Sequence, residues 1–341
     1  MKTRYQYNHG INFLRAIAIL GIVLYHMFPI EVRGGYLGVC IFFLISGYLL
    51  GQKTGMDQED GIYTPRKFYI RRFLRIYPQL YVMVMSVVAF LTLFRKELLL
   101  GIREEVASIF LGVNNWWQIV TQTSYFLKMA EHSPFLHLWY LSVEVQLLLL
   151  WPLLFFCYRK LKEKTGERFA AGMFLVLAIF SAVLMGLWYR TDSLNRAYYG
   201  TDTRAFAFFM GVFLGLREEE WQAKLGRYFG CRSFLISLVI TILLFFLIGG
   251  QSSWIYYGGM VGICVWFAFV IFIMNAACHA EQLDHAEETA VPEEGEEGNS
   301  EKPGKNLLHK VIHCPVIQWI GTHSYTIYLW HYPILFLLLM R

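Results

Sequence analysis

The chain has 341 residues, 56% of them hydrophobic, 17% aromatic and only 16% charged, with a formal net charge of +5. Soluble domains carry roughly a quarter of their residues as charges, so this composition excludes an ordinary soluble globule. It points instead to one all-α membrane domain over residues 1–341, a polytopic transmembrane bundle of about 9–11 helices. In such a chain the positive balance says less about an anionic partner than does the place of each charge relative to the spans, and no nucleic-acid partner is implied.

The N-terminal MKTRYQYNHG leads into an apolar run that has an arginine inside it and no small-residue cleavage site. It is therefore a retained first helix and not a signal peptide. Apolar stretches predict spans at 11–30, 36–52, 76–94, 136–157, 168–189, 204–216, 233–250, 254–277 and 315–340, judged against the ~20 residues a bilayer needs. A further stretch, 105–120, is short and polar-flanked, and could span, re-enter or lie on the surface.

Lys2 and Arg4 place the N-terminus on the cytoplasmic side of the cell membrane. If 105–120 does not cross, the basic segments 64–78, 159–168 and 217–232 all face inward, which favours nine crossings. The stretch 279–306 is acidic, contains Gly and Pro, and is almost without bulky hydrophobes, so it reads as a disordered cytoplasmic linker. The six cysteines include no CxxC pair, and neither a disulfide framework nor a metal site is expected.

Four constellations carry candidate chemistry. Arg15 and His26 are eleven positions apart, close to three helical turns, so they share a face about 16 Å apart along the axis. An arginine near a span end can snorkel and a histidine can bond a carbonyl, but ionisable groups within spans usually face the bundle interior and mark a site. In the basic segment, Arg71, Arg72 and Arg75 fit inward retention, the capture of a donor's phosphate oxygens by guanidinium forks, or the binding of lipid head groups.

In HLWYLSVEVQLLLLWP, 137–152, His137, Tyr140 and Glu144 share a helix face while Ser142 and Gln146 point elsewhere. A carboxylate entering hydrocarbon needs a partner, and His26 or an arginine would serve. In YYGTDTRAF, 198–206, Asp202 or Thr203 could cap a helix and Tyr198 and Tyr199 could form an aromatic belt.

Taken in order, INFLRAIAILGIVLYH, GGYLGVCIFFLISGYLL, YIRRFLRIYP, LHLWYLSVEVQLLLLWP, YYGTDTRAFAFFMGVFLG and HSYTIYLWHYPI resemble the membrane-bound acyltransferase-3 family. Within it they are most similar to bacterial O-acetyltransferases of peptidoglycan and other surface polysaccharides. The resemblance implies an acyl-CoA donor, most often acetyl-CoA, no permanently bound cofactor, an extracytoplasmic glycan acceptor, and surrounding membrane lipids. It makes Arg15 and His26 the family's arginine and histidine, with His26 the base.

By the same carry-over, Arg71, Arg72 and Arg75 hold the donor, and Glu144 is the carboxylate of the SVE motif, fixing the tautomer of His26. Tyr199 is a candidate acyl relay, and Tyr198, Asp202, Arg204, Trp139 and His331 are substrate-binding. Many such relatives carry an extracellular hydrolase-like domain after the last span; here that partner is expected to be separate or missing. The rival readings are a transporter or channel that uses the same buried ions as a path, and a membrane anchor with the acidic linker as its docking site.

Overall fold

Asn8 opens the first helix, its side chain accepting a hydrogen bond from the Ile11 backbone N–H at 3.0 Å. The computed structural model describes residues 8–121, 133–191, 194–290 and 310–339. In chain order the α-helices are α1 (His9–Met27), α2 (Gly38–Glu59), α3 (Pro65–Phe94), α4 (Ile102–Phe110), α5 (Asn114–Val120), α6 (Trp139–Thr165) and α7 (Glu167–Thr191). They continue as α8 (Leu194–Tyr199), α9 (Thr201–Leu225), α10 (Cys231–Leu247), α11 (Met260–Ala290), α12 (Pro315–Thr322) and α13 (Ser324–Leu339). No strand occurs among the described residues. The fold is the expected all-α polytopic bundle.

Six stretches are long and apolar enough to cross a bilayer: His9–Met27, Gly35–Glu59, Pro65–Phe94, Leu136–Thr165, Glu167–Tyr189 and Ile255–Cys278. A seventh is the pair Leu194–Tyr228 and Cys231–Leu247, bent by 104°. The sequence suggested nine. The difference arises because this bent pair covers two of the expected spans, and because the last expected span breaks at His323 into helices of 8 and 16 residues. Large apolar side chains such as Leu93, Phe169, Val176 and Leu247 stand exposed on the flanks, as lipid-facing residues do.

The ambiguous stretch 105–120 is a pair of short helices turning at Gly112, where φ is +69°. Their lengths, 9 and 7 residues, rise only about 14 and 10 Å. Neither alone reaches across a ~30 Å core. The C-terminal end of α2 gathers the basic residues of three segments: Arg71 beside Asp57, and Arg159, Lys162 and Arg217 around a cavity with Glu59. That is the clustering expected if 105–120 does not cross.

Small residues bring the helices that carry the site close together. Gly47 and Gly51 of α2 face Gly211 and Gly215 of α9, a reciprocal small-xxx-small crossing. A Cβ on Gly47 would stand 2.0 Å from the Phe208 carbonyl oxygen, and one on Gly211 would stand 2.1 Å from that of Leu44. Gly35 and Gly38 likewise admit Gly21 and Ala18 of α1, and Gly321 admits Asn12. These contacts fix α1 between α2 and α12.

One expectation about order is corrected. Helix α11 runs on to Ala290, so residues 279–290, expected in a disordered linker, are helical. Ala, Glu, Gln and Leu in AEQLDHAEETA are strong helix formers, and they extend a helix already nucleated by the preceding span. Residues 291–306 of that linker lie outside the described residues.

Candidate active site

His26 ends the apolar face of α1, where it meets the last helix. Nδ1 of His26 lies 3.2 Å from Nε2 of His331, whose Nδ1 lies 2.7 Å from the Tyr328 carbonyl oxygen. A carbonyl only accepts, so with both rings neutral His331 carries its proton on Nδ1 and offers a lone pair at Nε2. His26 must then donate from Nδ1. This leaves Nε2 as the basic nitrogen of His26.

A third imidazole completes the cluster. His137, in the 3-10 turn Leu136–Leu138 just before α6, contacts the Leu329 carbonyl oxygen through Nε2 at 3.2 Å. The Tyr332 ring sits between His26 and His137, with centroids 5.0 and 5.1 Å away. All three histidines are buried. Among the described residues no group of three His, Cys, Asp or Glu has metal-binding geometry.

Behind Tyr328 lies a cavity of about 200 Å³, lined by Arg15, Lys53, Arg72, Arg75, Glu144 and the rings of Tyr140 and Tyr328. A second, of about 180 Å³, shares Lys53, Arg72 and Arg75 with it and adds Arg71, Tyr63 and Phe68. Together they make a route lined by cations from the C-terminal end of α2 to Tyr328. The hydroxyl of Ser46 donates to Glu144 at 2.8 Å, which helps to hold the one carboxylate of the larger cavity. Arg71 pairs with Asp57 at 3.4 Å on the exposed rim.

The start of α9 builds a third cluster. Arg196 grips Asp202 with both nitrogens, at 2.8 and 2.7 Å, and lies over the rings of Trp188 and Trp116. Arg204 donates from Nε to the Tyr198 carbonyl at 2.6 Å, and its Nη1 is aimed at the Met260 sulfur. Its guanidinium stacks 4.2 Å from the Tyr198 ring and 5.7 Å from Trp139. Trp139 also packs on Tyr199. No carboxylate is hydrogen-bonded to Arg204 among the described residues, because Asp202 is held by Arg196.

Helices α4 and α5 are tied in by buried polar groups. Glu105 accepts from Ser133 at 2.6 Å and from Gln118 at 3.3 Å. Burial pushes its carboxyl up to about 7, against the opposing pull of those hydrogen bonds and one from Asn114. Ser142 accepts from the Asn114 backbone N–H at 3.0 Å, and Gln146 donates to the Gly112 carbonyl and to Asn115 at 2.7 and 2.8 Å. These two residues, which the sequence set away from the Glu144 face, dock α5 onto α6.

The structure thus separates residues that the sequence joined. Arg15 and Glu144 face the cation-lined cavity with Arg72 and Arg75, while His26 belongs to the histidine cluster. Of the two partners open to Glu144, His26 or an arginine, it shares its cavity with arginines, and His331 takes the place beside His26. The reason is helical geometry: Glu144 stands about 10 Å further along α6 than His137, which is level with His26. The expected N-cap at Asp202 or Thr203 is also replaced. Gly200 occupies that position, and the Asp202 carboxylate turns back to Arg196.

Sequence reasoning missed Tyr332, Lys53, Ser46, Arg196 and Glu105. The phrase YLWHYP held a signal for Tyr332 in its histidine and tyrosine pair. Glu105 had none beyond its place in an apolar stretch.

Residues 8–341 match the model of the acyltransferase-3 family, described as an acyltransferase domain. The chain is 31% identical to "Putative peptidoglycan O-acetyltransferase YrhL" of Bacillus subtilis, over 98% of this chain and 49% of that protein. It is also 31% identical to the peptidoglycan O-acetyltransferase OatA of Listeria monocytogenes, over 98% of this chain and 50% of that protein. The chain spans about half the length of the curated relatives it matches. No solved structure matches it. A family model that covers all the described residues, on a bundle with buried histidines and a cation-lined cavity, settles the kinship: the chain belongs to the acyltransferase-3 family.

Proposed function

We propose that this chain moves an acyl group, acetyl by analogy with the names of its relatives, from cytoplasmic acyl-CoA to a hydroxyl of an extracytoplasmic carbohydrate such as peptidoglycan. It works in the cell membrane with its N-terminus inside. The observation that carries the reading is the adjacency of the cation-lined cavity and the histidine cluster across one residue, Tyr328. Guanidinium groups suit the phosphates of a nucleotide donor. The rise of about 16 Å along α1 from Arg15 to His26 is comparable to a pantetheine arm.

In the reaction, Nε2 of His26 takes the proton of the acceptor hydroxyl as its oxygen attacks the thioester carbonyl. The C–S bond then breaks, and the CoA thiolate leaves with the proton from the imidazolium. His331 keeps His26 in the tautomer that makes this possible. Arg15, Arg72, Arg75 and Arg71 bind the donor. Tyr198, Tyr199, Trp139, Asp202 and Arg204 form the acceptor side, and surrounding lipids and an extracellular transferase-like domain are the further partners.

The test uses purified protein in proteoliposomes, with acetyl-CoA on one side and a glycan on the other. Mass spectrometry should find the glycan heavier by one acetyl group. His26→Ala, folded and inserted, should abolish that gain. Retained transfer would reject His26 as the base, and glycan or acetyl-CoA flux without acetylation would favour a transporter.

A further inference from the structure

The cluster holds one imidazole that acyl transfer, as described, does not use. His137 is 2% exposed, and its Nε2 faces a carbonyl oxygen, that of Leu329. A carbonyl can only accept, so a neutral ring carries its proton on Nε2 and has a bare lone pair at Nδ1. That Nδ1 is buried and has no hydrogen-bond partner among the described residues. Buried polar atoms without partners are rare in native folds and call for an explanation.

The neighbouring donors are committed elsewhere. The Tyr328 hydroxyl donates to the backbone carbonyl of His137 itself. His331 directs Nδ1–H to the Tyr328 carbonyl and Nε2 to His26. Yet His137 and His26 flank the same Tyr332 ring at nearly equal distances. A group that reached Nε2 of His26 would bring its own neighbours close to His137.

We propose that His137 determines acceptor specificity: its Nδ1 accepts a hydrogen bond from a second donor of the acceptor sugar, a hydroxyl or amide N–H other than the hydroxyl that reacts. This inference rests on the acyl-transfer reading. The reacting hydroxyl has a single proton, which goes to His26, so a lone pair at His137 must be met by a different donor. Sugars carry such donors on atoms away from the reacting oxygen, whereas monohydric alcohols carry none and water carries its second O–H on the reacting oxygen itself. A site with a buried acceptor discriminates strongly against a ligand that leaves it unpaired.

Two substitutions separate the nitrogens. In His137→Asn the side-chain oxygen can stand where Nδ1 stood, and the Leu329 contact is lost. In His137→Gln the amide N–H can keep the Leu329 contact, and the Nδ1 acceptor is lost. Both variants are assayed for transfer from acetyl-CoA to chitotetraose and for acetyl-CoA hydrolysis without glycan.

The expected result is a rise of roughly 10-fold in the KM for chitotetraose with His137→Gln, hydrolysis unchanged, and His137→Asn close to wild type. A better His137→Gln than His137→Asn, or transfer and hydrolysis falling together, would show a structural strut and overturn the proposal. Should either variant fail to fold, the wild-type protein is offered chitotetraose methylated at oxygen and at the amide nitrogens so that one or more donors stay free. Acetylation confined to sugars that keep a donor besides the reacting hydroxyl supports the proposal, and acetylation of a sugar whose only free donor is that hydroxyl overturns it. Failure of the acyl-transfer reading is distinct, since the wild type would then acetylate nothing.

Discussion

Nε2 of His331 lies 3.2 Å from Nδ1 of His26, and the other nitrogen of His331 is tied to the Tyr328 carbonyl. The relay runs from a backbone oxygen through one imidazole to a second, and at each step the direction of the hydrogen bond follows from the step before. Its product is a His26 whose proton sits on Nδ1 and whose Nε2 is the basic nitrogen. Carboxylates usually orient catalytic histidines, and they also stabilise the imidazolium. A neutral imidazole supplies orientation with less charge compensation.

His331 therefore acts through His26, as a positioning residue. His331→Ala should lower kcat by about 10²- to 10⁴-fold while the KM for acetyl-CoA stays within about 3-fold of wild type. His331→Gln can return an acceptor near the Nε2 position and should recover part of the loss. Steady-state kinetics on folded, monodisperse protein checks this; a KM effect without a kcat effect would contradict it.

Arg72 and Arg75 line both cavities, and Arg72 also lies over the Phe68 ring. Arg75→Ala should raise the KM for acetyl-CoA roughly 10-fold, the scale of one lost charged hydrogen bond. Arg75→Lys should recover only part of it, since lysine keeps the charge and loses the fork. Added salt should weaken donor binding by the wild type more than by Arg72→Ala/Arg75→Ala. Initial rates across a salt series read both effects.

The sequence carried the bundle, because long apolar runs and their flanking charges are local signals. It also carried the separation of Arg15 from His26, which is helical arithmetic. It could not pair residues across helices. For Glu144 it left His26 or an arginine as partner, and the family resemblance favoured His26; which helix faces turn together depends on Gly35, Gly38 and Gly321 admitting α1 at close range. Nor could it find Glu105, whose partners Ser133 and Gln118 come together only when α4 and α5 fold back.

The crossing of α2 and α9 positions the helix that carries Arg204. A Cβ on Gly211 would meet the Leu44 carbonyl oxygen, a backbone atom that cannot swing aside. Gly211→Leu should therefore cost about 3 kcal/mol or more, and the yield of folded protein should drop sharply. Gly172, which has open space around its would-be Cβ, is the matched control. Gly172→Ala should leave the yield unchanged or raise it, because alanine is the better helix former. Size-exclusion profiles of the two variants in detergent make the comparison.

Glu105 gives stability a pH dependence whose sign follows from the direction of its shift. Its carboxyl sits at about 7 in the fold against 4.5 for an unperturbed glutamate, so the folded state holds the proton more tightly than the unfolded state. The resulting stabilisation is fully present below pH 4.5 and is lost as pH rises through 7, because ionisation in a buried site is then forced on the fold. A shift of this size corresponds to about 3 kcal/mol between the two limits. The melting temperature of the wild type should accordingly fall between pH 5 and 8 by several degrees more than that of Glu105→Gln, which cannot ionise. Thermal scans in detergent at four or five pH values read the slope. Parallel slopes for the two proteins would mean that Glu105 is already ionised at pH 5, held there by Ser133, Gln118 and Asn114 more strongly than burial opposes it.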